Sequence, residues 1–199
     1  MIKRTSMDHK WFYQYRLHTQ KSLELSEDFP ELHNYLETVF EKRPDEYFKQ
    51  GISGSKLNFN LKLKIYQLNV HEICELTKEA LKQDMKKTGH TKVELFFLER
   101  DDKTIASEIP IWIHPEELKN KEIDGILTGH IDILRIENNK IWVWDYKPNA
   151  KQEKYASTQL YFYAQMLSKR TGIPIDKFRC GYFDENDAFI FEPKLEEVL

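Results

Sequence analysis

The sequence lacks the features that mark membrane-spanning and disulfide-rich proteins. No apolar run approaches the length of about 18 residues that a transmembrane helix requires, and the basic amino terminus has no apolar core of the kind found in signal peptides. Cys74 and Cys180 are the only cysteines, and two thiols far apart in sequence cannot by themselves ligate zinc or an iron–sulfur cluster. We therefore expect two buried, reduced cysteines in a cytoplasmic protein.

The signatures of several enzyme families are also absent. The sequence contains no Gly-rich phosphate-binding loop, hence no Walker A motif, no Gly-x-Ser-x-Gly nucleophile elbow and no His-Glu-x-x-His zinc helix. Internal repeats and Pro/Gly/Ser-rich linkers are missing as well. The 199 residues, 40% of them hydrophobic, suffice for one substantial core, so we expect a single domain over 1–199.

The charges of the chain are unevenly distributed. The net charge of −3 excludes a uniformly basic nucleic-acid-binding protein. Segment 140–179 nevertheless contains eight Lys or Arg against three acids, and segment 1–21 contains five against one, which leaves −12 for the rest of the chain. This asymmetry permits a basic face for a polyanion on an acidic body. Ordinary solvated surfaces explain the asymmetry equally well.

Hydrophobic periodicity predicts an α/β or α+β domain in which helices alternate with a mostly antiparallel sheet. We expect a mainly helical amino-terminal region over 1–68, with helices in the stretches HKWFYQYRLH and DFPELHNYLETVFEKR. Residues 57–68 alternate between apolar and polar, which favours a strand, although they could also be the approach to the next helix.

The core of the domain is expected over 69–199. The pattern predicts an amphipathic helix from Asn69, ended near Gly89, and then two strands within KVELFFLERDDKTIASEIPIWI. A further helix, AKQEKYASTQLYFYAQMLSKRTGIP, should stop at Gly172. The stretches FRCGYF and AFIFEP resemble a closing hairpin.

A β-ribbon is predicted over 129–147, in the stretch GHIDILRIENNKIWVWDYK. Asn138 and Asn139 form its two-residue turn, because Asn tolerates positive φ. Counting outward from that turn places Asp132 directly opposite Asp145 on one face of the ribbon. The same count places His130 opposite Lys147. The other face is apolar, with Ile131, Ile133, Trp142, Trp144 and Tyr146, and we expect it to pack on helices.

Two carboxylates in this register need a neutralising partner. The Cβ atoms of Asp132 and Asp145 would lie about 5 Å apart, where like charges are destabilising. Mg²⁺ or Mn²⁺ is the simplest partner, since both prefer carboxylate oxygens and keep open positions for a phosphate. Lys147 could then orient or help deprotonate a water molecule, or stabilise charge on the phosphate. Alternatively, the acids are strand ends in water and Lys147 is their salt-bridge partner.

Four further residues are candidates for the same site. Gln159 and Tyr163 share one face of the last predicted helix and could bind a phosphate, a base or a catalytic side chain. Glu108 lies on a strand expected to neighbour the ribbon and could be a further carboxylate, although an exposed strand Glu is the simpler interpretation. His71 could complete a metal site, and an ordinary structural histidine would also explain it.

Taken in order, these residues resemble the PD-(D/E)XK nuclease superfamily, specifically its RecB-type branch. That branch shows a His on an early helix, a Glu-containing strand, then GxxD, (D/E)xK and QxxxY. The corresponding positions here are His71, Glu108, 129–132 (GHID), 145–147 (DYK) and 159–163 (QLYFY). The matched stretch covers about half of the chain.

The resemblance implies a restriction-endonuclease-like core, with a mixed central sheet flanked by helices, and a metal-dependent DNA nuclease that leaves a 5′-phosphate. It assigns a catalytic role to Asp132, Asp145 and Lys147. It also makes Gln159 and Tyr163 the residues that position single- or double-stranded DNA. The implied ligands of Mg²⁺ or Mn²⁺ are Asp132, Asp145, the backbone carbonyl of Tyr146 and, in addition, His71 and Glu108.

The resemblance has limits that shape the expected function. Related CRISPR-adaptation nucleases carry four cysteines for an iron–sulfur cluster, so two cysteines predict no cluster here. Without a Walker A motif, any helicase must be a separate chain. We expect a role in DNA repair, recombination or defence. The alternatives are a nuclease fold kept for DNA binding or assembly, with its metal site weak or lost, and a sequence-specific restriction or repair endonuclease.

Overall fold

One mixed β-sheet forms the centre of the fold in the computed structural model, which describes residues 1–118 and 123–195. Within those residues, nine strands are hydrogen-bonded into this sheet. In chain order they are β1 (Ile2–His9), β2 (Trp11–His18), β3 (Ile52–Ser53), β4 (Tyr66–Leu68), β5 (Thr104–Ile113), β6 (Leu127–Glu137), β7 (Lys140–Tyr146), β8 (Phe178–Phe183) and β9 (Ala188–Phe191).

Six α-helices accompany the sheet in the described part of the chain. They are α1 (Thr19–Leu25), α2 (Pro30–Glu41), α3 (Asp45–Gln50), α4 (Glu72–Leu81), α5 (Gly89–Arg100) and α6 (Ala156–Thr171). Adjacent residues of a strand point to opposite faces: Val143 packs in the same core as α6, and Trp144 packs in the same core as α4 and α5. The helices therefore cover both faces of the sheet.

The strand order is β1-β2-β5-β6-β7-β8-β9-β4, with β3 paired to β6 outside this path. The pairs β3·β6 and β7·β8 are parallel, and the other pairs are antiparallel. This mixed sheet flanked by helices confirms the predicted α/β class and is consistent with a restriction-endonuclease-like fold. The first and last parts of the chain contribute strands to the same sheet.

The β6–β7 ribbon has the predicted turn and register. Asn138 and Asn139 both adopt positive φ, at 51° and 54°, and Glu137 pairs with Lys140. The pairing continues to Ile133 and Trp144, one position before the two acids. At that point the Tyr146 amide donates a hydrogen bond to Asp132 Oδ2 (3.1 Å). The backbone ladder between β6 and β7 therefore ends where a side-chain carboxylate replaces a backbone carbonyl as the acceptor.

The apolar face of the ribbon packs on helices, as expected. Ile133, Trp144 and Tyr146 share one buried cluster with residues of α4 and α5. Gly181 of β8 allows this packing, because a Cβ there would lie 2.2 Å from the Trp144 ring. The tight stack of β7, β8 and the two helices fixes the end of β7 that carries Asp145.

The prediction of a helix in HKWFYQYRLH is wrong. Residues 2–18 form the β1–β2 hairpin, with Lys10 at its turn in a left-handed conformation (φ 70°). Trp, Phe and Tyr favour strands, and the apolar side chains of Tyr15 and Leu17, two residues apart, are both buried. The predicted mainly helical region therefore applies to 19–50, where α1, α2 and α3 lie, and not to all of 1–68. Of residues 57–68, only β4 is a strand.

The prediction of a strand in KVELFFLER is also wrong. These residues belong to α5, which begins at Gly89 and is capped by Thr88, whose side chain accepts a hydrogen bond from the Thr91 amide. Gly89 thus starts a helix instead of ending α4. Val93 and Phe97, four residues apart, are both fully buried against the sheet. A short apolar run fits either element, and here the helical spacing of the buried residues decides.

The carboxyl-terminal part follows the prediction except that α6 begins at Ala156, whereas the predicted helix began at Ala150. α6 ends at Gly172, which adopts φ 76°, and β8 and β9 form the closing antiparallel hairpin. Cys74 and Cys180 are both buried and free. None of the helices in the described part of the chain is long and apolar enough to cross a membrane.

Candidate active site

Four acids and one lysine converge on a cleft of about 430 Å³ at the end of the ribbon. The acids are Glu94 from α5, Glu108 from β5, Asp132 from β6 and Asp145 from β7, and Lys147 follows β7 directly. The ladder between β6 and β7 has ended here, so the strand ends are open toward the cleft. The acids that the sequence placed in register therefore lie at the floor of a concave site.

Three of the carboxylates form one cluster. An oxygen from each of Glu94, Glu108 and Asp132 lies within 4.8 Å of the other two. Hard divalent cations bind carboxylate oxygens, so the donor set fits Mg²⁺ or Mn²⁺. Sequence reasoning missed Glu94, because the stretch around it was interpreted as a strand. The spacing of Val93 and Phe97 as helical core residues was the signal that could have placed Glu94 in a helix.

Glu108 of β5 lies opposite Asp132 of the neighbouring strand β6. Ser107 pairs with Ile133 and Ile109 pairs with Ile131 in one register, so Glu108 falls opposite Asp132. It adopts φ 55°, a conformation that costs free energy for a residue with a side chain and that is concentrated at functional sites.

The carboxylate of Glu108 is also incompletely satisfied. Its Oε2 is buried and accepts no hydrogen bond from a protein donor, and only a proton on Glu108 itself would link it to the Glu94 carboxylate. A buried carboxylate oxygen without a partner is costly, and a cation in the cluster would remove that cost. The expectation of an ordinary exposed strand Glu is therefore wrong for this residue.

The electrostatics of the cluster favour a bound cation. Burial raises the pKa of Glu108 well above its usual value, and the carboxylates of Glu94 and Asp132 raise it further. Burial also raises the pKa of Asp132, and the Asp145 carboxylate adds to the effect. A divalent cation would reverse both shifts, because it stabilises the ionised forms of its ligands.

Glu94 is held by an arginine from the amino-terminal hairpin. Burial raises the pKa of Glu94, and the Arg16 guanidinium opposes that shift. Arg16 Nη1 donates to Glu94 Oε2 at 3.0 Å, and both side chains are buried. Arg16 Nη2 is in turn bound by Gln14 (2.8 Å). The inner half of β2 therefore supports the acid cluster directly.

Lys147 and Asp145 form a close ion pair beside the cluster. Lys147 Nζ lies 2.8 Å from Asp145 Oδ2. Burial alone would lower the pKa of Lys147, but the carboxylates of Asp145 and Asp132 outweigh burial and hold the pKa above its usual value. The side chain is therefore an ammonium group at neutral pH. Gln159 Nε2 makes a long contact of 3.4 Å with Asp145 Oδ1.

Tyr163 packs against two glycines at the back of the cleft. A Cβ on Gly129 would lie 2.3 Å from the Tyr163 ring, and a Cβ on Gly54 would lie 2.5 Å from it. The glycine of the GxxD motif is thus required by this close approach of the ring. Because Gln159 lies one turn earlier on α6, the same packing fixes the helix that presents Gln159 to Asp145.

The structure does not bring His71 into the cleft, which corrects the expectation that it completes the metal site. His71 caps α4 through its Nδ1, which accepts from the Ile73 amide at 3.2 Å. Its ring lies 5.5 Å from that of Trp144, on the face covered by α4 and α5. His71 therefore has a structural role at the start of a helix.

Two other predicted positions have contacts that the count along the ribbon did not include, although His130 lines the cleft with Lys147 and Tyr146 packs in the apolar face. His130 turns toward the amino-terminal hairpin, where its Nε2 lies 2.9 Å from His9 Nδ1 and its ring stacks on Tyr13 at 3.7 Å. Tyr146 contacts Asp132 through its amide. The role of the Tyr146 carbonyl as a metal ligand stays a prediction.

A mixed sheet whose open strand ends carry clustered acids and a lysine is an architecture suited to holding a divalent cation beside a phosphate. The family model of the PD-(D/E)XK nuclease superfamily matches residues 8–198, which is nearly the whole chain, and the chain therefore belongs to that superfamily. Members of the superfamily are usually phosphodiesterase nucleases that use divalent metals. No curated protein and no solved structure gave a significant match.

Proposed function

We propose that this protein is a divalent-metal-dependent deoxyribonuclease that hydrolyses phosphodiester bonds with Mg²⁺ or Mn²⁺. The observation that carries the proposal is the cluster of Glu94, Glu108 and Asp132 carboxylates, whose oxygens lie within 4.8 Å of one another. A buried, unpartnered oxygen of Glu108 belongs to that cluster. Three carboxylates this close are destabilising unless a cation joins them.

The metal would be held by the carboxylate cluster and the neighbouring Asp145. Glu94, Glu108 and Asp132 supply the oxygens, and Asp145 lies on the adjacent strand beside Asp132. The bound cation would supply a Lewis acid that activates water and neutralises charge on the phosphate. Arg16 keeps Glu94 in position through its buried ion pair.

Lys147 acts as a cation toward the substrate. Its pKa is held above its usual value, so it donates hydrogen bonds to a phosphate oxygen and stabilises the charge that develops there. The alternative role, removal of a proton from water, requires a neutral amine, a form that a cation bound beside Asp145 and Asp132 would favour. Asp145 orients Lys147, and Gln159 orients Asp145.

Gln159 and Tyr163 position the DNA strand at the back of the cleft. Both side chains line it, and α6 is packed into the main core around them. We further infer that residues 1–199 act as one domain, since β2 pairs with β5 and supplies Arg16 to the site.

The biological setting of the proposal is that of a RecB-type nuclease in DNA repair, recombination or defence. Such an enzyme would act in the cytoplasm, without an iron–sulfur cluster, and with any helicase supplied by a separate chain. End-labelled and circular DNA distinguish cleavage from a strand end from internal cleavage.

A cleavage assay with end-labelled single-stranded, double-stranded and circular DNA tests the proposal. Purified protein is expected to degrade at least one of these DNA forms with Mg²⁺ or Mn²⁺, and none with EDTA. Asp145→Ala should abolish cleavage and keep the circular dichroism spectrum of the wild type. Failure to cleave any DNA form with either metal would favour the alternative of a DNA-binding or assembly module. Degradation of RNA but not DNA would overturn the substrate assignment.

A further inference from the structure

A second, smaller cavity adjoins the catalytic cleft. It has a volume of about 110 Å³ and lies between the β1–β2 hairpin and the segment that follows α3. Tyr13, Ser53, Ser55 and His130 line both cavities, so the two share a wall. The proposed function uses only the first cavity, whereas the second has walls of a different chemistry.

Two exposed aromatic side chains project from the tip of the hairpin. Trp11 and Phe12 each have 74% of their surface exposed, which is uncommon for adjacent large apolar residues. Successive residues of a strand point to opposite sides, and accordingly Trp11 borders the smaller cavity while Phe12 borders the catalytic cleft. A strand of nucleic acid passing over the tip would meet an aromatic ring on each side.

The tip is held in a fixed position relative to the acids. His9 is buried and hydrogen-bonded to Asp45 (2.8 Å) and His130 (2.9 Å), and its ring stacks on Phe48 at 4.0 Å. His130 lies two residues before Asp132 on β6. The aromatic rings of the tip are therefore carried by a rigid element that is anchored next to the metal ligands.

Positive charge accompanies the aromatic rings. Lys10 and Lys56 both line the smaller cavity, and Lys10 Nζ also donates to the Gly51 carbonyl (3.0 Å). The floor of the catalytic cleft carries four acids, which repel a phosphate backbone unless cations are near. The smaller cavity is therefore the more favourable place for the flanking nucleotides of a substrate.

We propose that the smaller cavity, together with Trp11 and Phe12, is a subsite for a single DNA strand whose bases stack on the two aromatic rings. The inference rests on the proposed nuclease function and adds a substrate preference to it. Base–aromatic stacking requires an exposed base face, and in a duplex such faces occur only at an end. The enzyme accordingly prefers single-stranded DNA or frayed duplex ends to internal duplex.

Equilibrium binding measured in EDTA tests the subsite separately from cleavage. The probes are a fluorescently labelled oligothymidylate, the same oligomer with abasic sites, and a blunt duplex of equal length. Trp11→Ala and Phe12→Ala are each expected to weaken oligothymidylate binding by about 5- to 150-fold, as expected for loss of one stacked base. Neither variant should change the affinity for the abasic oligomer. Tyr66→Ala, an exposed aromatic on the opposite edge strand β4, is the matched control and should bind like the wild type.

The outcomes separate the subsite from the nuclease proposal. If the wild type cleaves DNA but both variants bind oligothymidylate normally, the subsite is wrong and the nuclease function stands. If both variants lose affinity equally for the normal and abasic oligomers, stacking is excluded and the inference is overturned. If the variants selectively lose oligothymidylate binding but the wild type cleaves no DNA, the subsite is supported and the proposed nuclease function is wrong. Thermal denaturation checks that each variant remains folded.

Discussion

The two ends of strand β2 illustrate two different uses of the same element. At its inner end Arg16 is buried and paired with Glu94, as part of the acid cluster. At its outer end Trp11 and Phe12 are exposed. Groups that hold a metal must have fixed positions and satisfied partners, while groups that receive a substrate must stay accessible. Substitutions at the inner end should therefore affect stability and activity together, and those at the outer end only binding.

The largest effect on stability is expected from Arg16→Leu. Removal of the guanidinium leaves Glu94 buried without its partner, which costs about 3–5 kcal/mol of the free energy of unfolding. Chemical denaturation of the metal-free protein measures this cost, and Arg4→Leu on the exposed strand β1 is the control. If Arg16→Leu were no less stable than the control, β2 would not support the cluster and the contrast between its two ends would disappear.

The largest effect on activity without loss of the fold is expected from Lys147→Ala. Loss of one charged hydrogen-bond donor to the transition state lowers kcat by about 10²- to 10³-fold. The control is Lys169→Ala, on the exposed side of α6. It removes one positive charge, as Lys147→Ala does, and should retain the wild-type kcat. Single-turnover cleavage at saturating DNA and Mg²⁺ provides the measurement. A wild-type rate in Lys147→Ala would remove this lysine from the mechanism.

The ribbon and the hairpin also differ in how far the sequence predicted them. The Asn138-Asn139 turn fixes the ribbon locally, so the register, and with it the neighbouring positions of Asp132 and Asp145, followed from counting. The same count placed Lys147 on the face of Asp145, and Gln159 came from its i, i+4 spacing with Tyr163 on the following helix. The hairpin stretch could be interpreted as a helix, because no Asn-Gly-type turn marks the β1–β2 hairpin: its turn is at Lys10, a residue that rarely adopts positive φ.

Glu94 was missed for a related reason. The stretch VELFFL has an apolar run that fits a strand or a helix, and the spacing of Val93 and Phe97 is the one local signal that favours the helix. The acid cluster is assembled from α5, β5 and β6, so its geometry depends on long-range packing that no local pattern contains. The same holds for the smaller cavity, which lies between β2 and the segment around Ser53.

A smaller effect is expected from Gly129→Ala, which adds a single methyl group. Its Cβ would lie 2.3 Å from the Tyr163 ring, so the ring must move, at a cost of about 1–3 kcal/mol. Because the ring packs where α6 presents Gln159 to the site, kcat should fall as well. Gly89→Ala is the control, since a Cβ there meets nothing closer than 3.5 Å. Equal stability and kcat in the two variants would show that the ring adapts freely.

The smallest effect, and the one that tests the metal cluster most directly, is expected from Glu108→Gln in EDTA. Burial, with Glu94 and Asp132, raises the pKa of Glu108 in the folded state, so its protonation contributes stability at low pH. That contribution is lost as the pH rises from about 4 through the folded-state pKa. Glu108→Gln cannot ionise, so its stability does not fall with pH in this way. Its Tm at pH 8 should exceed that of the wild type by about 2–4 °C for each 1 kcal/mol gained.

Addition of Mg²⁺ should reverse this order. The wild type gains stability from binding the cation to the folded state, and the variant gains less because one ligand oxygen is lost. Glu41→Gln, at an exposed position on α2, should follow the wild type under both conditions. Thermal denaturation across pH 5–9, with and without Mg²⁺, supplies the comparison. A variant that is less stable than the wild type in EDTA at pH 8 would show that Glu108 is already neutralised by its protein neighbours, and the cluster would then not require a metal.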